Sequence, residues 1–151
     1  MIIGVGKNLV YDEVAKITAY IGAKTNNGEA FDVVATVGEN EDILDTFFLK
    51  AQNLFRMLIR KYYTNEREVK LGNTITILFE LEQPQGVKEN LITAFNETVF
   101  LFFVRYIVWK WLLLLGQLEL SEIYHSQFDE ASNTIKSMMF GWVGTRKLNP
   151  F

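Results

Sequence analysis

The chain carries one histidine, His125, and acidic residues crowd around it: Glu119, Glu122, Asp129 and Glu130. Glu122 stands three residues before it. A carboxylate beside an imidazole can hold a metal weakly, but with no thiolate available a zinc site would need several carboxylates. The plainer reading is a solvated acidic face. A nucleophilic triad needs a nucleophile and an orienting acid brought together by the fold, and no spacing here does that. The absence of cysteine excludes a thiol nucleophile, thiolate zinc sites and disulfide staples. Gly4-Val5-Gly6 starts like a dinucleotide fingerprint, but the third glycine would fall where Leu9 stands. A phosphate loop of the GxxxxGK type is missing as well. The expectation is therefore a protein with no catalytic residue, no metal and no cofactor, that is, not an enzyme.

A second group with chemical potential is basic. Arg56, Arg60, Lys61, Arg67 and Lys70 cluster around Tyr62 and Tyr63, diluted by Glu66 and Glu68. Cations interleaved with rings can follow a nucleic-acid backbone and stack on bases. The alternative is a solvated helix end. Globally the balance is acidic, with 15 basic against 18 acidic residues and a formal charge of −3. That argues against nucleic acid as the main partner, since dedicated binders are strongly basic.

The elements that must position these residues follow from composition and periodicity. At 151 residues and 49% hydrophobic content, the chain reads as one domain with a core. Disordered and collagen-like classes are excluded by the same apolar share and by only 10 Gly and 2 Pro. Aromatics reach 14%, including 12 Phe, which implies a dense core or rings given to a partner. The first residues lack the basic and apolar regions of a signal peptide. Val10, Val14, Ile17 and Ile21 mark a helix over about 11–24, closed by Gly22 and the Thr25–Gly28 turn signals. Residues 25–40 read as a loop with a short extended piece at Phe31–Val37.

A second helix is expected over 41–63. Asn40 suits its N-cap, and Glu41, Asp42 and Asp45 suit its positive end. Leu44, Phe47, Phe48, Ala51, Leu54, Phe55, Leu58, Ile59 and Tyr62 trace its apolar face. Val69 and Leu71, a Gly72-Asn73 turn, and the alternation of Ile75, Ile77, Phe79 and Leu81 predict a hairpin at about 67–82. Two strands alone are marginal in water, so this hairpin must pack on helices or on another chain. A long third helix follows from Val87 to about Leu115, broken at Gly116, and a fourth covers about 118–140. Residues 141–151, with two glycines and a proline, are expected to form an extended arm anchored by Trp142 and Phe151. The fold class is thus mainly α: a bundle of about four helices with an inserted β-hairpin and an extended C-terminal tail.

Val99–Leu115 is the most apolar stretch, interrupted by Arg105 and Lys110. A membrane span needs about 20 apolar residues, and mid-helix charges oppose insertion. A membrane is therefore an unfavoured partner, although the run and the Trp109/Trp111 pair support an alternative as a peripheral, lipid-associated protein. A helix apolar nearly all round is buried on several sides, by its own chain or by a neighbouring subunit.

Several stretches together look familiar. They are Tyr11–Lys16 leading to Tyr20–Lys24, the acidic helix start Glu39–Asp45, and the strand rich in Ile and Thr. Phe102-Phe103-Val104 through Trp109-Lys110-Trp111 and Thr145-Arg146-Lys147 complete the set. Their order resembles small virion proteins of Bacteroidetes phages and prophages, with a plan similar to head-to-tail connector, or neck-ring adaptor, proteins. That resemblance implies a structural subunit in a homo-oligomeric ring joining portal and tail. The implied partners are other copies of the chain, adjacent portal or tail proteins, and non-specific DNA in the lumen. Its implied location is the virion head–tail junction, after assembly in the host cytoplasm. On this reading Ile75, Ile77, Phe79, Trp142 and Phe151 reach neighbouring subunits, and Arg56, Arg60 and Lys61 face the DNA.

Overall fold

Residues 1–24, 40–82 and 86–147 are described by the computed structural model, the side chains at 24, 140 and 142–147 excepted. Their order is β1 (Ile2–Gly6), α1 (Lys7–Lys24), α2 (Glu41–Ile59), β2 (Tyr63–Leu71), β3 (Thr74–Leu81), α3 (Glu89–Leu114) and α4 (Leu118–Lys147). The fold is mainly α, with the hairpin inserted between α2 and α3 as its alternation predicts. The extended piece expected at Phe31–Val37 lies outside the described residues.

The central element is α3. Phe95, Val99, Phe102, Phe103, Val104, Tyr106, Ile107, Val108, Trp111 and Leu112 are all buried along it. They point in several directions round the helix, so α3 must be wrapped. Helices α1, α2 and α4 and strand β1 all lie against it. This chain therefore covers the middle of the apolar run itself. Phenylalanine rings fill the junctions: Phe55 of α2 meets Phe79 of β3 edge-on at 4.8 Å, and Phe102 meets Phe128 of α4 at 4.7 Å.

Both charges in the run are absorbed within the fold. The Arg105 guanidinium donates to the Gln127 backbone carbonyl of α4 at 3.1 Å. The Lys110 ammonium lies 4.0 Å from the centre of the Trp109 ring. The first spends its charge on a hydrogen bond and the second on an aromatic face.

The sheet has three strands in the order β1-β3-β2, both pairs antiparallel. Strand β1 is a departure from the expected plan. Ile3 pairs with Phe79 and Val5 with Ile77, and all four side chains are buried. A three-stranded sheet with a helix-covered face escapes the instability of an isolated hairpin. At the turn Gly72 has φ +61° while Asn73 has no positive φ, so glycine takes the strained first position. Asn8 of α1 clamps that turn, donating to the Asn73 carbonyl at 3.0 Å and accepting from the Ile75 amide at 2.9 Å.

Three boundaries move. Helix α1 begins at Lys7, directly after β1. Helix α2 stops at Ile59 rather than 63, because a turn from the Tyr62 amide to the Ile59 carbonyl leads straight into β2. Helix α4 runs on through Lys147, so residues 141–147 of the expected extended arm are helical. A glycine in a helix interior costs about 1 kcal/mol, and Gly141 and Gly144 do not stop this helix.

The apolar face of α2 is narrower than its sequence suggests. Leu44, Phe48, Ala51, Phe55 and Ile59 are buried and Leu58 is half-buried, but Leu54 is 37% exposed. Truncation costs track the burial lost. Leu58→Ala is expected to cost about 2 kcal/mol and Leu54→Ala about 1 kcal/mol or less. Urea unfolding of the two variants checks the order, and equal costs would contradict the half-turned face.

Candidate assembly surfaces

The basic cluster does not survive as one free surface. Arg56 on α2 holds Glu66 on β2 through two donors, Nε to Oε1 and Nη2 to Oε2, the latter at 2.9 Å. Gln52 also donates to Oε2 at 2.6 Å, and the Tyr63 hydroxyl donates to Oε1 at 3.1 Å. Glu66 faces the helix because β2 pairs it with buried Phe79. Burial pulls its carboxyl upward, but the bonds from Arg56, Gln52 and Tyr63 outweigh that and hold it below the usual range. Arg56 is thus tied down inside the chain, while Arg60 and Lys61 are exposed.

A similar knot joins α1 to α2. Lys7 pairs with Asp45 at 2.8 Å, and the Tyr11 hydroxyl donates to the same carboxylate. Burial raises Asp45, and the bonds from Lys7 and Tyr11 more than offset it. Burial first, then Asp45, pushes the Tyr11 phenol well above its ordinary range, so it remains a donor. Both carboxylates have lowered folded values. Their contribution to stability is therefore complete above about pH 5 and lost as pH falls through those lower values. Glu66→Gln is expected to flatten the acid side of a plot of Tm against pH. An unchanged acid limb would mean that Glu66 does not drive it.

His125 stacks flat on Trp109 of α3, 4.0 Å between ring centres and 8° between planes. Its Nε2 lies 3.5 Å from Asp129. Among the described residues no cluster of three or more histidine or acidic side chains is placed to hold a metal ion. Packing against Trp109 and solvent around Asp129 account for this histidine. Gly4 and Gly6 are strand residues, and a Cβ on Gly6 would come 3.2 Å from Leu9.

The expected interface strand is a core strand. Ile77 is 6% exposed, Phe79 is fully buried, and Ile75 is half-buried against the same cluster. Their shared face packs on this chain's own helices, which leaves Ile77 and Phe79 almost no exposed surface to offer a neighbour. The Trp142 side chain and Phe151 lie outside the described residues.

Among the described residues, exposed apolar side chains are found elsewhere. At the corner between α3 and α4, Leu113, Leu114, Leu118 and Ile123 are exposed. The corner has a specific local cause. Gly116 at φ +76° follows the last turn of α3. Its amide bonds to the Leu113 carbonyl at 3.1 Å, and the Gln117 amide reaches the Leu112 carbonyl at 2.9 Å. This paired closure needs the left-handed residue that glycine supplies. The chain reverses abruptly and leaves leucines on the outside of the bend. A second apolar surface is a groove of about 310 Å³ between α2 and α4, lined by Leu54, Met57, Leu58, Phe102, Phe128 and Ser132.

Neither surface follows from periodicity. The leucine run 112–115 reads as helix interior, and only the stop at Gly116 hints at a corner. Leu54 and Met57 lie on the edge of the stripe that defines the buried face. No family model, curated protein or solved structure matches this chain.

Proposed function

We propose that this chain is a structural phage virion protein, a head-to-tail connector subunit that assembles with copies of itself into a ring joining portal and tail. The supporting observation is the exposed leucine corner between α3 and α4. Four large apolar side chains are exposed within eleven residues there, and grouped exposed apolar side chains mark interaction sites. The polar side chains best placed for chemistry are instead consumed by internal bonds, as Arg56 and Glu66 are. The role is non-enzymatic and needs no cofactor. In a ring the remaining exposed cations, Arg60 and Lys61, are available to DNA in the lumen, and portal or tail proteins flank the assembly.

Sedimentation velocity of the purified full chain over a wide concentration range, with electron micrographs of the same samples, tests this. Closed rings of uniform size are expected. A monomer at every concentration overturns the reading. The second reading is a peripheral membrane protein, favoured by the length and apolar character of α3. Vesicle flotation separates the two: a chain that floats and never assembles is lipid-associated.

A further inference from the structure

The leucine corner and the α2 wall of the groove carry opposite charge. From Trp111 to Tyr124 the only charged residues are Glu119 and Glu122. Both are exposed and lie between Leu118 and Ile123 on the first turns of α4. From Phe47 to Tyr62 every charged residue is basic: Lys50, Arg56, Arg60 and Lys61. Glu66 neutralises Arg56. Lys50 precedes Leu54 by one helical turn, and Lys61 follows Met57 by one turn, just past the helix end. The groove wall is therefore an apolar strip with an exposed ammonium at each end.

We propose that the leucine corner of one subunit docks into the α2–α4 groove of the next, with Glu119 and Glu122 facing Lys50 and Lys61. The inference rests on the ring reading above and adds which two surfaces meet. Leu113, Leu114 and Leu118 supply apolar anchors, and Leu54, Met57, Phe102 and Phe128 receive them. Charges at the rim choose the partner and its orientation, while buried apolar groups carry most of the affinity. The two surfaces are distinct patches: about 18 Å of α3 separates Phe102, under the groove, from Leu114 at the corner. Contact between them is heterologous. Each copy offers one corner and one groove, and repetition closes a ring where the rotation allows it.

Two double variants test the pairing, one with Glu119→Lys and Glu122→Lys, the other with Lys50→Glu and Lys61→Glu. All four side chains are exposed, and circular dichroism confirms that each variant folds. Each alone is expected to lose assembly in sedimentation velocity. Combining all four substitutions in one chain restores opposite charges and is expected to restore the rings. Adding Met57→Glu to otherwise unchanged protein places a carboxylate in the groove and is expected to abolish assembly too. A parent chain that stays monomeric removes the ring reading and the docking together. An assembling parent whose double variants assemble equally well removes the docking alone. A monomeric parent whose corner binds phosphatidylcholine–phosphatidylserine vesicles and loses them on Leu114→Asp likewise removes both, because lipid is then the occupant of the corner.

Discussion

Ile77→Asp is expected to unfold the domain or to cost about 4 kcal/mol or more, at the extreme of single substitutions. Ile77 sits in the central strand of the sheet, opposite Val5 on one side and Glu68 on the other. It is 6% exposed and faces a cluster that includes Phe79 and Val5. A carboxylate placed there has no cation partner in the apolar cluster, and burying an unpaired charge is among the most expensive changes a fold can suffer. Protonation would relieve part of the cost, so the variant should be less damaged in acid than at neutral pH. Thr76→Asp, one residue earlier, places the same group on the opposite face, where Thr76 pairs with Gly6 and Val69. Its expected effect is about 0.5 kcal/mol. Thermal melting of the two variants reads the contrast. Equal behaviour would mean that the strand does not hold its register, because a slip of one residue exchanges the two faces.

Phe55→Ala is the second large effect, expected at about 3–5 kcal/mol. Phe55 is fully buried. Its ring lies 4.8 Å from Phe79 and 5.9 Å from both Phe102 and Phe103, so it joins α2, the sheet and α3 at one point. Three elements cannot all close on the space left by one missing ring, so a cavity remains and its cost adds to the lost transfer energy. Edge-to-face ring pairs add a smaller contribution that aliphatic residues do not replace. For a domain of this size the corresponding fall in Tm is roughly 10–15 °C. Phe55→Leu, which refills most of the space, should lose less than half as much. Calorimetry of both variants checks this, and a Phe55→Ala protein that melts with the parent would place the hub of the core elsewhere.

Local pattern was sufficient wherever one face of an element is buried along its whole length. Strand β3 alternates because one face meets helices and the other meets water. Ile75, Ile77, Phe79 and Leu81 therefore announce both its type and its inward side. The middle of α2 and the apolar run of α3 are legible for the same reason: a 3.6-residue stripe in one, and apolar residues all round in the other. The Gly72-Asn73 turn is legible because only glycine accepts its positive φ cheaply.

Tertiary structure decided what depends on partners distant in sequence. Strand β1 is five residues long and includes two glycines, so its own propensity is poor. It forms because β3, more than seventy residues away, supplies its ladder. The fate of Arg56 was likewise hidden. A basic residue near a helix end looks free until β2 brings Glu66 alongside it, and opposite charge in a half-buried site then outweighs exposure to water. The inward face of the hairpin had two possible covers, its own helices or a neighbour, and alternation is the same for both. Packing of Phe79 on Phe55 chose the first. The leucines at 113, 114 and 118 followed the opposite course. Their types implied burial, but the reversal at Gly116 places them at the corner of α3 and α4, where they are exposed.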